Sequence, residues 1–212
     1  MPVRFVSFDM EGTLVDHGFS NRVWEQAIPS LYACRHGGSF EEASRRVHEQ
    51  YAEIGEGRPE WYDVGYWWRR LDLPGDWRTV IRESRDACFV YPEVGGVLDR
   101  MVSHYPLVVS SNTIRPFLQV QLECVGRRFD RVFSAPSDFG SVKNTPAFYG
   151  RVCEELGITP EELAHVGDHP DFDCKAPRRI GVHAYLLDRS GKAGGPEVVR
   201  SLAEFEGKLG EA

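Results

Sequence analysis

Lysine is nearly absent from this 212-residue chain: only four of its 25 basic residues are lysines, and the first is Lys143. The formal net charge is -7, so the sequence lacks the basic excess that non-specific nucleic-acid binding requires. No apolar run approaches the roughly 18 residues that span a bilayer, and the first residues lack the apolar core and cleavage site of a signal peptide. These absences predict a cytoplasmic protein that binds neither nucleic acid nor membrane.

Closely spaced cysteines are missing as well. The five cysteines are far apart and include no C-x-x-C pair, which argues against a disulfide framework and against a zinc site. We interpret all five as structural thiols. The sequence contains no internal repeat, and its length allows one sizeable domain or a core with an insertion.

What the sequence does contain is an alternation of short apolar runs and amphipathic stretches. Near-continuous apolar character is typical of strands buried on both faces of a parallel sheet. Helical spacing separates the later runs, and this alternation predicts an α/β fold with a doubly wound, Rossmann-like parallel sheet. The predicted strands are 4–9, 107–111, 131–135, 163–168 and 183–188.

A long segment with only helical patterns separates the first two predicted strands. We therefore predict a catalytic core formed by residues 1–17 and 92–212, with an all-helical cap domain inserted at 18–91. The final stretch, 195–212, predicts a terminal helix followed by a tail.

Polar side chains cluster where the predicted strands end. Asp9 and Glu11 follow the first strand two positions apart, so both side chains leave it on one side. Two carboxylates that close repel each other unless a cation or a shared proton intervenes; the alternative is an ordinary strand end with exposed acids. Ligands bind beyond the carboxyl ends of strands in open α/β sheets, so we expect these groups at one rim. They are Asp9, Glu11, Thr13, Ser111, Asn112, Lys143, Asp168, Asp171 and Asp173.

Lys143 is conspicuous because arginine is preferred almost everywhere else. It precedes an amphipathic stretch, and we predict that it opens a helix. A need for a compact point charge would explain this exception to the arginine preference; the alternative is a solvated lysine at a helix start.

In order and position these residues resemble the four motifs of the haloacid dehalogenase (HAD) superfamily, most of whose members are phosphatases. "FDMEGTLVD" is similar to the first motif, D-x-D-G-T-L-x-D, and "VVSSN" is similar to the second. Lys143 matches the third motif, and "HVGDHPDFD" is similar to the fourth, G-D-x-x-x-x-D. The resemblance covers about 1–17 and 92–188, and four motifs in order are a strong signal although each alone is weak.

The resemblance implies a Mg²⁺-dependent phosphatase that acts on a small phosphomonoester. Asp9 would be the nucleophile and form an aspartyl-phosphate, which splits hydrolysis into two easier steps. Asp9, Asp168 and the backbone carbonyl of Glu11 would hold Mg²⁺, which prefers oxygen ligands. Asp173 or Asp171 would orient the metal-bound waters or Lys143 without binding the metal directly. The phosphate-binding residues would be Ser111, Asn112, Lys143, Gly12 and Thr13.

Glu11 departs from the family pattern, because most of the phosphatases carry Asp there as general acid and base. Relatives that resemble enolase-phosphatase read D-x-E-G-T. We therefore expect Glu11 to act as the general acid and base, with a side chain one methylene longer than Asp. Two alternatives stay open. One is a 2-haloacid dehalogenase in which Asp9 attacks carbon, and the other is a non-catalytic relative that binds phosphate ligands.

The insertion stands where one HAD subfamily carries a helical cap that selects the leaving group. Its tryptophans could line an aromatic pocket or form the core of a helix pair, and we favour the core for Trp61 and Trp68. The stretch 59–74 is interpreted as one helix whose buried stripe ends before Pro74. The cap has no lysine, which excludes the Schiff-base chemistry of phosphonate hydrolases. The sequence leaves monomer and homodimer equally open.

Overall fold

A single parallel sheet of six strands forms the centre of the computed structural model, which describes residues 2–210. The strand order is β3-β2-β1-β4-β5-β6, the arrangement of a doubly wound, Rossmann-like fold. All five predicted strands are confirmed, each within one residue of its predicted ends. The strands are β1 (Phe5–Phe8), β2 (Leu107–Ser111), β3 (Arg131–Ser134), β4 (Leu163–Gly167), β5 (His183–Leu187) and β6 (Val198–Val199).

The sixth strand is absent from the sequence prediction, which assigned 195–212 to a terminal helix and tail. Two residues are too few for a recognisable pattern, and β6 exists because Val198 and Val199 pair with Leu186 and Leu187 of β5. The terminal helix begins only at Leu202. Residues 211–212 of the predicted tail lie outside the described residues.

Between β1 and β2, residues 18–87 form helices joined by turns and short loops. This segment begins with one continuous helix, in which a π-helical turn, Arg22–Ala27, joins two α-helices. Further along, the Ser39 hydroxyl accepts a hydrogen bond from the Glu42 N–H (3.2 Å) and caps the longest helix of the segment. The α-helices are α1 (Gly18–Asn21), α2 (Ile28–His36), α3 (Phe40–Ile54), α4 (Pro59–Tyr62), α5 (Val64–Arg70) and α6 (Trp77–Glu83), and the 3₁₀ turn Arg85–Ala87 follows them.

The prediction of one helix over 59–74 is wrong at Asp63. This residue has an extended backbone and its carboxylate accepts from the Tyr66 N–H (3.1 Å), so it ends α4 and caps α5. The break changes which ring is innermost: Trp67 is completely buried, whereas Trp61 is only partly buried.

Both faces of the sheet are covered by the remaining helices. Val6 and Phe8 of β1 point to one face, beneath α7 (Val94–Met101), α8 (Arg115–Val125) and α12 (Leu202–Leu209). Val108 of β2 points to the other face, beneath α10 (Pro146–Leu156). No helix among residues 2–210 is long and apolar enough to cross a membrane. The other helices and turns that follow the insertion are α9 (Ala135–Phe139), the 3₁₀ turn Pro160–Glu162, the π-helical turn Pro170–Lys175 (called the π-turn below) and α11 (Ala176–Arg178).

Candidate active site

The predicted polar residues meet in a cleft at the carboxyl ends of β1, β2 and β4. The chain runs from β1 outward to β2 and β3 and then returns to β4 on the other side of β1, so this is the crevice where the strand order reverses. Of the predicted residues, those that line the cleft are Asp9, Glu11, Ser111, Asn112, Lys143, Asp168 and Asp173.

Lys143 lies at the bottom of this cleft and uses all three of its donors. Its Nζ donates to Asp9 Oδ1 and Asp173 Oδ1, both at 2.6 Å, and to the backbone carbonyl of Ser110 at 3.0 Å. The side chain is 2% exposed. Its position is not the predicted helix start, because α10 begins at Pro146 and Lys143 occupies the preceding turn.

The charges of this group are interdependent. Burial raises the pKa of Asp9, opposed by Lys143 and reinforced by Asp173 and Asp168. Burial also raises the pKa of Asp173, but Lys143 and His165 together lower it below its ordinary value. Burial would lower the pKa of Lys143, and its two carboxylate partners raise it instead. Asp173 is therefore the carboxylate whose ionised form Lys143 stabilises. The ionised form of Asp9 is less stable because it is buried, and a further cation would stabilise it.

The carboxylates themselves offer a position for that cation. One oxygen each from Asp9, Asp168 and Asp173 lie within 4.8 Å of one another. Oxygen-only donors with room for water and phosphate suit Mg²⁺. A glycine lets the carboxylates converge, because a Cβ on Gly12 would lie 2.0 Å from Asp168 Oδ2, and Gly12 has a φ of +70°. The residues present thus fit a divalent metal.

Glu11 is held by two side chains that the sequence did not single out. Its Oε1 accepts hydrogen bonds from the Ser20 hydroxyl, on α1, and from the Gln121 amide, on α8. His17 lies between Glu11 and Asp168, with its ring nitrogens 3.8 Å from Glu11 Oε2 and 3.7 Å from Asp168 Oδ2. The carboxylate is therefore fixed at the mouth of the cleft.

The remaining predicted residues have mixed positions. Asn112 Oδ1 accepts from the Lys143 backbone N–H (2.8 Å), and Asn112 Nδ2 donates to the Tyr62 hydroxyl (3.3 Å). Ser111 Oγ accepts from the backbone N–H of Thr113 (3.2 Å), which leaves its hydroxyl proton for another partner. Thr13 is fully buried and does not line the cleft, and its Oγ1 has no hydrogen-bond partner among the described residues.

Asp171 is not brought to the cluster. It is exposed, and its carboxylate pairs with Lys175 at 2.8 Å within the π-turn that follows β4. Of the two alternatives in the sequence, Asp173 is the one beside Lys143. The π-turn separates them, because it directs residue 173 inward and residue 171 to solvent.

A buried polar network lies beneath Asp173. His165 Nε2 lies 3.1 Å from Asp173 Oδ1 and 3.0 Å from the Tyr149 hydroxyl, and His165 Nδ1 lies 2.9 Å from Ser7 Oγ. The Ser7 hydroxyl in turn donates a hydrogen bond to the Ser110 hydroxyl on β2 (2.8 Å). The sequence carried a signal for this network, since His165 interrupts the apolar run "LAHVGD" at a position that a parallel sheet buries.

Arg189, just after β5, supports the loop that follows Asp9. Its guanidinium donates to the carbonyls of Gly12 (2.7 Å) and Thr13 (2.9 Å) and to Glu93 (2.7 Å), and it lies 3.8 Å from the Tyr91 ring centroid. No sequence motif identifies this residue, because its partners belong to other elements.

Comparisons with known proteins agree with this geometry. A family model described as haloacid dehalogenase-like hydrolase matches residues 3–181. The GMP/IMP nucleotidase YrfG of Escherichia coli strain K12 is 25% identical over 166 residues, which are 77% of this chain and 73% of that protein.

Solved structures resemble the chain over nearly its whole length. The HAD phosphatase from Thermococcus onnurineus has a TM-score of 0.86 at 22% identity and covers 99% of this chain and 98% of its own. The HAD hydrolase YfnB from Bacillus subtilis, described as bound to magnesium, has a TM-score of 0.68 at 16% identity, with 99% and 100% covered. The matching structures also include 2-haloacid dehalogenases, so this likeness shows the fold alone. Because the family model spans most of the chain, the chain belongs to the haloacid dehalogenase superfamily of hydrolases.

Proposed function

We propose that this protein is a Mg²⁺-dependent phosphatase that hydrolyses a small phosphomonoester through an aspartyl-phosphate on Asp9. The observation that carries the proposal is the buried group of Asp9, Lys143 and Asp173, with Asp168 completing a set of oxygen donors. A carbon–halogen substrate brings no phosphate dianion, so dehalogenation gives no reason for this set. The E. coli relative is named a GMP/IMP nucleotidase, so nucleoside monophosphates belong among the first substrates to test.

Asp9, Asp168 and the backbone carbonyl of Glu11 are the groups that would hold the metal, and Asp173, which Lys143 and His165 already engage, would support them without binding it. When bound, Mg²⁺ supplies positive charge that offsets the clustered carboxylates and the phosphate dianion. Lys143 holds Asp9 Oδ1 at 2.6 Å and so orients the nucleophile. Ser111 and Asn112 line the same part of the cleft and would donate to phosphoryl oxygens.

In the first step an Asp9 carboxylate oxygen attacks phosphorus, the bond from phosphorus to the alcohol oxygen breaks, and Glu11 protonates the departing alcohol. In the second step Glu11 takes a proton from water as the water attacks phosphorus. The Asp9–phosphorus bond then breaks and inorganic phosphate leaves. Positioned acid–base catalysis of this kind contributes about 10²–10⁴-fold.

The test is phosphate release from 4-nitrophenyl phosphate and from purine nucleoside 5′-monophosphates, with Mg²⁺ and with chelator. We expect turnover that chelator abolishes and that Asp9→Asn removes. Trapping with acid after a short reaction with ³²P-labelled ester should leave label on the wild type and none on Asp9→Asn. Turnover that persists in chelator, or label retained by Asp9→Asn, would contradict the proposal.

A further inference from the structure

The cleft of about 350 Å³ extends from Asp9 toward the helical insertion, and the side chains that line its outer part differ from those around Asp9. We call this part the leaving-group end, since the alcohol of an ester bound at Asp9 would extend into it. It is lined by Asn21, Trp24, Glu25, Tyr51, Glu56, Trp61, Tyr62, Ile114 and Phe117.

A chain of contacting aromatic rings forms one wall of the leaving-group end. Trp24 stacks on Phe117 with 5.7 Å between ring centroids and 23° between planes. Tyr51 contacts the rings of Trp24 and Trp61 edge to face, at 6.0 and 5.8 Å. These four rings are held against one another before any ligand arrives, so they present a preformed aromatic wall against which a ring can pack.

Among the described residues that line this end, the charged side chains are all negative. Glu25 and Glu56 line it, and none of its described lining residues is lysine or arginine. Glu25 pairs with His48 at 2.7 Å, outside the lining, whereas the described contacts give the Glu56 carboxylate no basic partner. Elsewhere in the cleft, Lys143 is already engaged by the carboxylates of Asp9 and Asp173. His17 is likewise engaged by those of Glu11 and Asp168. A second anionic group on the substrate would meet carboxylates here without a compensating cation.

We propose that the leaving-group end selects phosphomonoesters whose alcohol carries a flat ring and no second anionic group. This inference rests on the proposed phosphatase activity and names the substrate class of the same site. Ring-bearing esters with neutral or cationic substituents are accepted, whereas bisphosphates and esters with a carboxylate are rejected. The ring packs against Trp24 and Trp61, and the repulsion comes from Glu25 and Glu56.

The experiment compares kcat/KM for four esters of similar leaving-group basicity at low ionic strength, where screening of exposed charges is weak. Ethyl phosphate and benzyl phosphate test the ring. The carboxamide and carboxylate forms of 4-substituted benzyl phosphate test the charge at one position. We expect benzyl to exceed ethyl, and carboxamide to exceed carboxylate, each by about tenfold.

Charge reversal identifies the source of the discrimination. Glu56→Lys should bring the carboxamide-to-carboxylate ratio close to one, whereas Glu83→Lys, the same change on an exposed residue outside the cleft, should leave it unaltered. Equal use of carboxamide and carboxylate esters by the wild type, or of ethyl and benzyl esters, would overturn the inference while the phosphatase proposal stands. Absence of phosphate release from all four esters, from 4-nitrophenyl phosphate and from purine nucleoside 5′-monophosphates would overturn both.

Discussion

Glu11 has one methylene more than the aspartate of most family phosphatases, and its surroundings explain how the chain accommodates it. The extra length lets the carboxylate reach Ser20 on α1 and Gln121 on α8. Gln121 is completely buried, and its Oε1 has no hydrogen-bond partner among the described residues, although its Nε2 binds Glu11. A buried unsatisfied carbonyl costs about 1–3 kcal/mol, so this side chain is placed at the expense of stability.

Replacing Gln121 by methionine should therefore separate activity from stability. Gln121→Met removes the donor to Glu11 and the unpartnered oxygen together, so the free energy of unfolding should hold or rise. Loss of acid positioning should lower kcat/KM about tenfold for ethyl phosphate, whose alcohol must be protonated. The loss should be much smaller for 4-nitrophenyl phosphate, whose phenolate departs without a proton.

The matched control is Gln119→Met, on the exposed side of the same helix. It should change neither ester's kcat/KM. An equal loss on both esters in Gln121→Met would show that the residue acts on folding of the cleft rather than on Glu11.

Asp168 and Asp171 stand three positions apart and should respond differently to substitution. Because Mg²⁺ would bind the folded state, saturating metal should raise the melting temperature, with a stabilisation of about 2.7 kcal/mol at 100 times Kd. Asp168→Asn should abolish the Mg²⁺-dependent rise. Asp171→Asn should retain it, because that carboxylate faces solvent and Lys175. The melting temperature of each variant is measured with Mg²⁺ and with chelator. Loss of the Mg²⁺-dependent rise in Asp171→Asn alone would contradict the assignment.

At the scale of elements, the site depends on how closely the π-turn Pro170–Lys175 lies on the end of β4. Asp173 packs over Gly167, where an added Cβ would be 2.3 Å from the Asp173 Cγ. The Asp173 carboxylate also accepts from the His169 N–H at 2.9 Å, which closes the turn. The glycine is therefore required by close approach rather than by its backbone angles.

Gly167→Ala should displace Asp173 and release Lys143 from one of its partners. We expect the free energy of unfolding to fall by about 1–3 kcal/mol, as in overpacked cores, and phosphatase activity to fall at least as far as in Asp173→Ala. Gly207→Ala, in open space on α12, is the control and should stabilise the fold by about 0.5–1 kcal/mol. Denaturant unfolding and phosphate release measure both, and an active, stable Gly167→Ala would refute the steric argument.

At the scale of the whole molecule, the insertion is joined to the core at a narrow connection and at a broad apolar contact. The chain leaves and returns side by side, with the Asp16 N–H donating to the Phe89 carbonyl (2.9 Å). Ile114, which precedes α8, and Phe117 of α8 pack into the apolar cluster of the insertion. We propose that residues 18–91 form a cap domain whose apolar cluster is completed by these two core side chains.

This sharing predicts that cap and core unfold together. Every tryptophan lies within 18–91, so tryptophan fluorescence reports the cap while far-UV circular dichroism reports the whole chain. The two denaturant transitions should coincide in the wild type. Phe117→Ala should lower the free energy of unfolding by about 3–5 kcal/mol. In this variant the fluorescence transition should occur at a lower denaturant concentration than the circular dichroism transition. A fluorescence transition that precedes the other in the wild type would mean that the cap unfolds alone.

The sequence by itself determined five of the six strands, the fold class and most residues at the rim, because each depends on local pattern. Alternation of faces puts Asp9 and Glu11 on one side of β1, and parallel strands bring their carboxyl ends to one edge. The break at Asp63 escaped prediction because a side-chain cap outweighed a helical stripe. The strand β6 escaped because only its pairing with β5 defines it.

Tertiary structure alone decided the individual contacts within the site. Lys143 lies 134 positions from Asp9, and Gln121 lies 110 positions from Glu11. Such contacts depend on how helices pack over the sheet, and no pattern within a short stretch encodes that. The choice of Asp173 over Asp171 likewise required the π-turn, since both acids suit a motif but only one side chain is directed into the buried cleft beside Lys143.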